Sequence, residues 1–186
     1  EGTIRFNGQD VTHLSERPGA APRASMAALN GKAYRKEPSV FPALTMKRLR
    51  RQTQMVFQDP YESLNPRTTV FEAVAEPLEV HALTTGKEDK LARVRQALED
   101  SGLSPAEVFM GRRPHELSGG QRQRVVIAGA LVLQPSLLIA DEPVSMLDVS
   151  IRAEILNLLE GLRSRRGISI LYITHDLGTA AYFTDR

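Results

Sequence analysis

The feature that most constrains the fold is a repeated pattern in the second half of the chain, where a short, largely apolar run ends in polar residues. Residues 137–140 (LLIA) lead into Asp141 and Glu142, and residues 168–173 (ISILYI) lead toward His175. Runs of this length are typical of strands buried on both faces of a parallel sheet. Between the runs, apolar side chains recur at helical spacing: Ile151, Ile155, Leu158 and Leu162. Alternating strands and helices predict an α/β fold with a parallel sheet, which binds ligands at the carboxyl ends of its strands.

The start of the chain has a different character. Ile4 and Phe6 alternate with polar residues before Asn7-Gly8, which predicts a β-hairpin closing near Val11. Residues 15–45 contain four prolines and keep neither a strand nor a helix period. We interpret them as a long loop or an insertion.

The middle of the chain is predicted to be mostly helical. A short apolar run at 54–57 suits a buried strand, and the segment 59–134 after it carries the helical signals. Thr85 and Glu88 fit a capping box at the start of one helix, and Gly102 fits its end.

Composition excludes several classes of protein. The chain has 186 residues, 41% of them apolar, which describes an ordinary globular domain. It contains no cysteine, so disulfides, thiolate metal sites and cysteine redox chemistry are excluded. The longest apolar stretch, 125–133, is far shorter than the roughly 20 residues that cross a bilayer. A net charge of +2 is weak evidence for a polyanionic partner.

The polar residues that follow the two strands suit one kind of chemistry. Adjacent carboxylates such as Asp141 and Glu142 serve metal-assisted phosphoryl transfer, in which one holds Mg²⁺ and the other orients and deprotonates an attacking water. Taken alone, a simple turn cap at Asp141 explains this pair equally well.

A second pattern favours the phosphoryl-transfer interpretation over the turn cap. Residues 117–121 (LSGGQ) place two glycines at a helix start, where unobstructed backbone N–H groups face an anion. Ser118 with Gln121 also fits an ordinary capping box. The combination of this segment with Asp141, Glu142 and His175 favours a phosphate-binding site.

Taken together, these segments resemble the ATP-binding subunits of ABC transporters. The matching segments are Gln58 for the Q-loop, 117–121 for the signature motif, 137–142 for the Walker B segment, 145–148 (SMLD) for the D-loop, and His175 for the switch histidine. The resemblance implies a P-loop NTPase-like parallel sheet core with a helical ABC subdomain at 59–134, so that 1–186 is part of an ABC ATPase domain.

The resemblance also implies residue roles. Asp141 would hold Mg²⁺, Gln58 would touch Mg²⁺ or the attacking water, Glu142 would act as general base, and His175 would contact the γ-phosphate. The residues expected to bind an ATP held by the opposite subunit, or to organise the dimer interface, are Ser118, Gly119, Gly120, Gln121 and Asp148.

A finer resemblance concerns the branch. Residues 54–67 (QMVFQDPYESLNPR) and 76–78 (EPL) resemble bacterial importers of dipeptides and oligopeptides, and related nickel or glutathione systems. This implies ATP and Mg²⁺ as cofactors, and a second ATP-binding subunit and transmembrane permease subunits as partners. It also implies an external solute-binding protein acting indirectly, and a peripheral location on the cytoplasmic face of the bacterial inner membrane.

One family motif is missing from the sequence. A phosphate-binding loop reads G-x-x-x-x-G-K followed by Ser or Thr, and neither Gly31-Lys32 nor Gly86-Lys87 fits, because Met26 and His81 stand where the first glycine belongs. In the family this loop precedes the opening hairpin. We therefore expect a sequence truncated at both ends, which on its own binds ATP poorly and does not hydrolyse it.

Two other functions and one further partner have partial support in the sequence. A soluble ABC ATPase of DNA repair or translation has the same motifs, but residues 15–45 lack the heptads of a coiled-coil insertion. A non-catalytic interaction fragment is favoured by the missing loop. The basic run 47–51 has no stacking aromatics beside it, so no nucleic-acid partner is predicted.

Overall fold

The computed structural model describes residues 5–6, 8–10 and 45–183 of the chain. The chain divides between Leu49 and Arg50 into two compact units, and every site residue named above lies in the second. The predicted loop or insertion at 15–45 lies outside the described residues, apart from Thr45.

The opening hairpin is confirmed. Strands β1 (Arg5–Phe6) and β2 (Gln9–Asp10) pair antiparallel, with Phe6 opposite Gln9. Gly8 between them has a φ of 75°, a left-handed conformation that glycine adopts without a steric penalty.

The predicted parallel sheet is also confirmed. Strands β3 (Thr53–Val56), β4 (Leu137–Asp141) and β5 (Ser169–Ile173) are parallel and lie in the order β3-β4-β5. Val56 pairs with Ala140, which pairs with Tyr172, so the carboxyl ends of the three strands meet at one edge. Strand β3 begins one residue earlier than the predicted run 54–57 and ends before Phe57, whose side chain is 53% exposed.

Helices connect the strands. Helix α1 (Met46–Gln52) precedes β3. The elements between β3 and β4 are α2 (Pro60–Ser63), α3 (Val70–Val80), α4 (Lys87–Asp100), α5 (Glu107–Met110), a 3-10 turn (Pro114–Glu116) and α6 (Gly119–Leu131). Helix α7 (Val149–Arg166) joins β4 to β5, and α8 (Leu177–Phe183) follows β5. None of the helices within the described ranges is both long enough and apolar enough to cross a bilayer.

Helix α6 contributes to two apolar cores. Its residues Val125 and Ala128 pack among the helices α3 and α4, whose fully buried side chains include Leu78 and Leu98. On another face, Ile127 packs against the sheet and α7. The start of α6 lies beside the segment that follows β4, where Gly119 faces Leu147. The standing of 59–134 as a separate helical subdomain stays a prediction.

The predicted capping box at Thr85 is wrong. Helix α4 begins at Lys87, with Gly86 as N-cap and no side-chain cap hydrogen bond. Instead of Glu88, the residue that contacts Thr85 is Asp89, whose Oδ2 accepts from the Thr85 N–H at 3.0 Å. Glycine supplies no side chain to cap the helix, so the first-turn carboxylate reaches back past it.

Candidate functional site

Glu142 occupies the bend that follows β4. Its φ is 43°, which in a non-glycine residue costs about 1–3 kcal/mol. Its N–H donates to the Ile173 carbonyl of β5 at 2.9 Å, and its own carbonyl accepts from the Ser145 N–H at 3.1 Å and the Ser145 hydroxyl at 3.0 Å. These hydrogen bonds hold the strained backbone and fix the carboxylate at the sheet edge.

Both oxygens of that carboxylate are engaged by predicted site residues. The Gln58 amide donates from Nε2 to Glu142 Oε2 at 2.9 Å, and His175 Nδ1 lies 2.5 Å from Glu142 Oε1. Gln58 follows β3, Glu142 follows β4 and His175 follows β5, so all three sit where the parallel strands end. The structure thus brings together three residues that are up to 117 positions apart in sequence (175 minus 58).

The contact with Glu142 orients the His175 ring. An ionised carboxylate only accepts hydrogen bonds, so Nδ1 is the donor of this contact. The His175 side chain is 77% exposed, compared with 21% for Glu142. The exposed ring is accessible to a ligand, while the carboxylate is largely enclosed.

An open groove of about 710 Å³ runs beside this cluster. Besides Gln58, Glu142 and His175, its walls include Ser145, Met146, Arg152 and Asp176. Met146 is 58% exposed and Leu177, on the same groove, is 85% exposed.

Asp141 lies on the other side of Gln58. It borders a separate groove of about 410 Å³ that Gln58 and Asp59 also line. The Nε2 end of the Gln58 amide is taken by Glu142, so its carbonyl oxygen is the end left to bind a cation. Carboxylate and amide oxygens are the donors that Mg²⁺ prefers, and Mg²⁺ commonly uses one or two protein carboxylates with waters and substrate phosphates. This donor set fits Mg²⁺, and among the described residues no cluster of three His, Asp or Glu forms an all-protein cage.

The segment 117–121 has a different position. Ser118 caps α6, with its hydroxyl accepting from the Gln121 N–H at 3.3 Å and the Gln121 Oε1 accepting from the Ser118 N–H at 3.0 Å. Asp148 caps α7 by accepting from the Ile151 N–H at 3.0 Å. The predicted site residues that do not line the Glu142 groove are Asp141, Ser118, Gly119, Gly120, Gln121 and Asp148.

The two glycines of this segment face the segment that follows Glu142. A Cβ on Gly119 would lie 3.7 Å from Leu147, but one on Gly120 would lie 2.5 Å from Ile151 Cγ2. Cγ2 branches directly from the Ile151 Cβ, and χ1 of isoleucine is restricted, so a small side-chain movement does not relieve this overlap and Gly120 allows the approach of α6 to α7.

Replacing Gly120 by Ala is therefore expected to destabilise the chain by about 1–3 kcal/mol through overpacking. Urea unfolding measures this change. Gly129→Ala on the same helix is the matched control, because its Cβ would meet nothing within 4 Å and helix propensity favours Ala by about 1 kcal/mol. The destabilisation by Gly120→Ala should shrink in an Ile151→Ala background; an equal loss in both backgrounds would contradict the steric explanation.

Arg152 was missed by the sequence analysis. Its Nη2 donates to the Leu147 carbonyl at 3.1 Å and its Nη1 lies 3.8 Å from Asp176 Oδ2, so it links the segment after Glu142 to the segment after His175. The sequence feature that could have identified Arg152 is its position one turn after the helix cap Asp148. Side chains on a helix point toward its N-terminus, so Arg152 is directed back toward the cap.

Asp176 is held by hydrogen bonds at the start of α8. Hydrogen bonds from the Thr179 hydroxyl and N–H, and then from the Gly178 N–H, lower the pKa of Asp176 below 3.8. Nearby, burial and then the negative charge of Asp176 raise the pKa of Tyr172 to about 12.

The depressed pKa of Asp176 predicts an acid-dependent contribution to stability. The folded chain favours the ionised carboxyl, so this contribution is present above the unfolded pKa of 3.8 and is lost as pH falls through the lower folded pKa. We expect Asp176→Asn to destabilise the chain at neutral pH and to have a smaller effect at about pH 3. Urea unfolding of both proteins across this range measures the difference, and a difference that stays constant with pH would contradict it.

The fold and the cluster at the strand ends define an α/β domain with a polar site at the carboxyl edge of its parallel sheet, and comparison with known proteins specifies its family. The family model for ABC transporters matches residues 1–145. The chain belongs to the ABC transporter family, as a member of its ATP-binding component.

Curated relatives share much of the sequence. The oligopeptide transport ATP-binding protein OppF of Bacillus subtilis is 49% identical over 136 residues, covering 73% of this chain and 44% of that protein. The oligopeptide transport ATP-binding protein AppF, from the same organism, is 42% identical over 186 residues, which is all of this chain and 48% of AppF. A putative peptide import ATP-binding protein of Brucella ovis is 42% identical over 185 residues and 49% of its length. The chain therefore spans about half the length of these relatives.

Solved structures agree with this assignment. CbiO1 from Clostridium perfringens, part of the ABC transporter complex cbiONQ, matches with a TM-score of 0.65 and 32% identity over 73% of this chain and 51% of that one. A dimeric post-hydrolysis state of the ATP-binding cassette MJ0796, bound to ADP and Pi, matches with a TM-score of 0.59 and 32% sequence identity. The match covers 71% of this chain and 56% of that one.

Proposed function

We propose that this protein is the ATP-hydrolysing subunit of an ABC-type importer of peptides or related small solutes. The observation that carries the proposal is the Glu142 carboxylate held between Gln58 and His175 at the ends of three parallel strands. The arrangement supports activation of one water molecule against a phosphate bound in the adjacent groove.

Glu142 acts as the general base. Each of its oxygens accepts one hydrogen bond from the protein and keeps a second lone pair for a water proton. Gln58 fixes the orientation of the carboxylate through Nε2, which leaves its amide oxygen for the attacking water or a cation. The strained backbone at Glu142 keeps the carboxylate at this edge without a further rearrangement during the reaction.

His175 supplies a contact to the transferred phosphoryl group. Its ring is exposed to the groove, and its Nδ1 contacts Glu142. Rotation of the ring toward a bound γ-phosphate would replace the Glu142 carboxylate with a phosphate oxygen as the acceptor. Asp141, with Gln58, holds Mg²⁺, which when bound neutralises charge on the phosphates. These roles need positioning and charge rather than covalent chemistry.

Ser118, Gly119, Gly120 and Gln121 act on a different nucleotide. They lie at the start of α6, outside the Glu142 groove. A helix start with unobstructed N–H groups suits an anion presented by a second ATP-binding subunit, with Asp148 and the exposed Met146 on the same interface. The dimeric neighbour bound to ADP and Pi supports such an assembly.

The relatives support a role in transport. Two of the curated relatives are oligopeptide transport ATP-binding proteins and another is a putative peptide import ATP-binding protein. We therefore also propose permease subunits as partners, cargo delivery by an external solute-binding protein, and a location on the cytoplasmic face of the bacterial inner membrane. Because no stretch of the 186 residues fits the phosphate-binding loop, we propose that this chain alone does not turn over ATP.

The test compares the 186-residue chain with the protein expressed from its natural gene, in ATP turnover with Mg²⁺ and in peptide uptake by vesicles that contain the copurified permease subunits. Turnover and uptake by the gene-encoded protein, with neither from the chain alone, would support the proposal. Turnover without any membrane partner or uptake would favour a soluble ABC ATPase of DNA repair or translation. A gene-encoded protein that neither binds nor hydrolyses ATP would favour a non-catalytic interaction module.

A further inference from the structure

Tyr61 and Arg122 form a stacked pair that the mechanism above does not use. The Arg122 guanidinium carbon lies 3.8 Å from the centroid of the Tyr61 ring, and its Nη2 donates to the Tyr61 hydroxyl at 2.5 Å. The two residues are 61 positions apart in sequence. Tyr61 is 61% exposed, so core burial does not explain its place. An exposed ring held by both its face and its hydroxyl is fixed by a specific partner.

Tyr61 is attached rigidly to Gln58. The Asp59 carboxylate accepts from the Tyr61 N–H at 2.7 Å, and the Asp59 carbonyl accepts from the Ser63 hydroxyl at 2.7 Å. Pro60 restricts the backbone at the first position of α2. The Tyr61 backbone is therefore tied by one short hydrogen-bonded turn to Asp59, the residue next to Gln58.

Arg122 is attached equally closely to the start of α6. It directly follows Gln121, and its Nη1 donates to the Pro114 carbonyl in the 3-10 turn that leads into 117–121. Its guanidinium thus contacts both the chain entering that segment and the segment that follows Gln58.

We propose that Tyr61 and Arg122 are positioning residues that couple the location of Gln58 to that of the segment 117–121. The inference rests on the proposed function, because the second segment acts on the nucleotide of the opposite subunit. The pair therefore holds Gln58, and with it the hydrogen bond from Gln58 to Glu142, in a fixed position relative to the start of α6.

The kinetic test uses the gene-encoded protein with its partner subunits. Tyr61→Ala and Arg122→Ala are each expected to lower kcat by about 3- to 30-fold with the KM for ATP unchanged, and the double variant to be no slower than the slower single variant. Tyr61→Trp keeps an aromatic face and should recover most of the rate. The matched control is Arg112→Ala, which removes a different cation–π pair, with Phe109 at 5.4 Å, and should leave kcat unchanged. Additive losses, or an equal loss in the control, would overturn the proposal.

A second readout does not depend on hydrolysis. The 186-residue chain contains no cysteine, so spin labels placed in it by Glu62→Cys and His115→Cys report the distance between α2 and the turn before α6 alone. The distance distribution should be narrow in the labelled parent and in the Arg112→Ala background, and broad in the Tyr61→Ala background. Equal widths in all three would overturn the coupling even if ATP is hydrolysed. If the protein does not hydrolyse ATP but the Tyr61→Ala variant shows the predicted broadening, the proposed function is contradicted and the coupling by Tyr61 and Arg122 is still supported.

Discussion

Replacing Glu142 by Gln is expected to lower the rate of ATP hydrolysis by about 10²- to 10⁴-fold while leaving ATP binding nearly unchanged. Glutamine keeps the shape of the side chain and can still contact Gln58 and His175, but it cannot accept a proton from water at neutral pH. Steady-state release of phosphate by the gene-encoded protein, with its partner subunits present, measures the effect.

The control for this substitution is Glu154→Gln. Glu154 lies on α7, where its exposed carboxylate pairs with Arg124 at 2.9 Å, and it does not line the Glu142 groove. The surface pair contributes about 0–1 kcal/mol to stability, so its loss should not change the hydrolysis rate. A Glu142→Gln protein that hydrolyses ATP within tenfold of the parent would exclude Glu142 as the base.

The second large effect concerns the strand that carries the site. Leu138 in β4 is fully buried between the sheet and its helices, and Leu138→Ala is expected to destabilise the chain by about 2–5 kcal/mol. This loss combines the transfer free energy of the removed atoms with the cavity they leave, and a marginally stable domain tolerates little of it. Urea unfolding followed by circular dichroism measures the change.

Leu171→Ala on the neighbouring strand is the matched control. Leu171 is 52% exposed, and its truncation should change the free energy of unfolding by less than about 0.5 kcal/mol. Similar losses at the two positions would show that the sheet does not bury β4 as described.

The sheet and the meeting of Glu142 with His175 follow from sequence by a short physical argument. Short apolar runs indicate strands of a parallel sheet, and the carboxyl ends of parallel strands meet at one edge. The prediction that both runs are buried on both faces is wrong for β5, in which Leu171 is 52% exposed and Ile173 is 44% exposed. Gln58 required more than this, because a single glutamine after a short strand has many ordinary uses. Only its resemblance to a family motif placed it with the other two residues.

Other features lack a local signal. Helix α3 (Val70–Val80) contains Pro77 and was not distinguished from its surroundings, although its capping box of Thr69 with Glu72 is visible in the sequence. Hydrogen bonds from Thr69 lower the pKa of Glu72, as expected for that cap. The capping box expected at Thr85 failed because Gly86 carries no side chain and Asp89 took its place.

The contacts that join distant segments were the least predictable. Arg122 reaches Tyr61 across 61 positions, and Arg152 reaches the carbonyl of Leu147 and the side chain of Asp176. Arginine on a helix is usually explained by solvent exposure, so its presence alone does not identify a partner. Such pairs depend on how helices pack against the sheet, and this packing was not fixed by the local periodicity.

The most direct test of the central claim, that Glu142 activates water on bound ATP, is the identity of the nucleotide left on the protein after one binding event. The gene-encoded protein and its Glu142→Gln variant are loaded with ATP and Mg²⁺ together with their partner subunits, separated from free nucleotide and analysed by chromatography. We expect ADP on the parent and intact ATP on the variant. Intact ATP on both would identify a binding module without catalysis, and ADP on both would assign water activation to another residue.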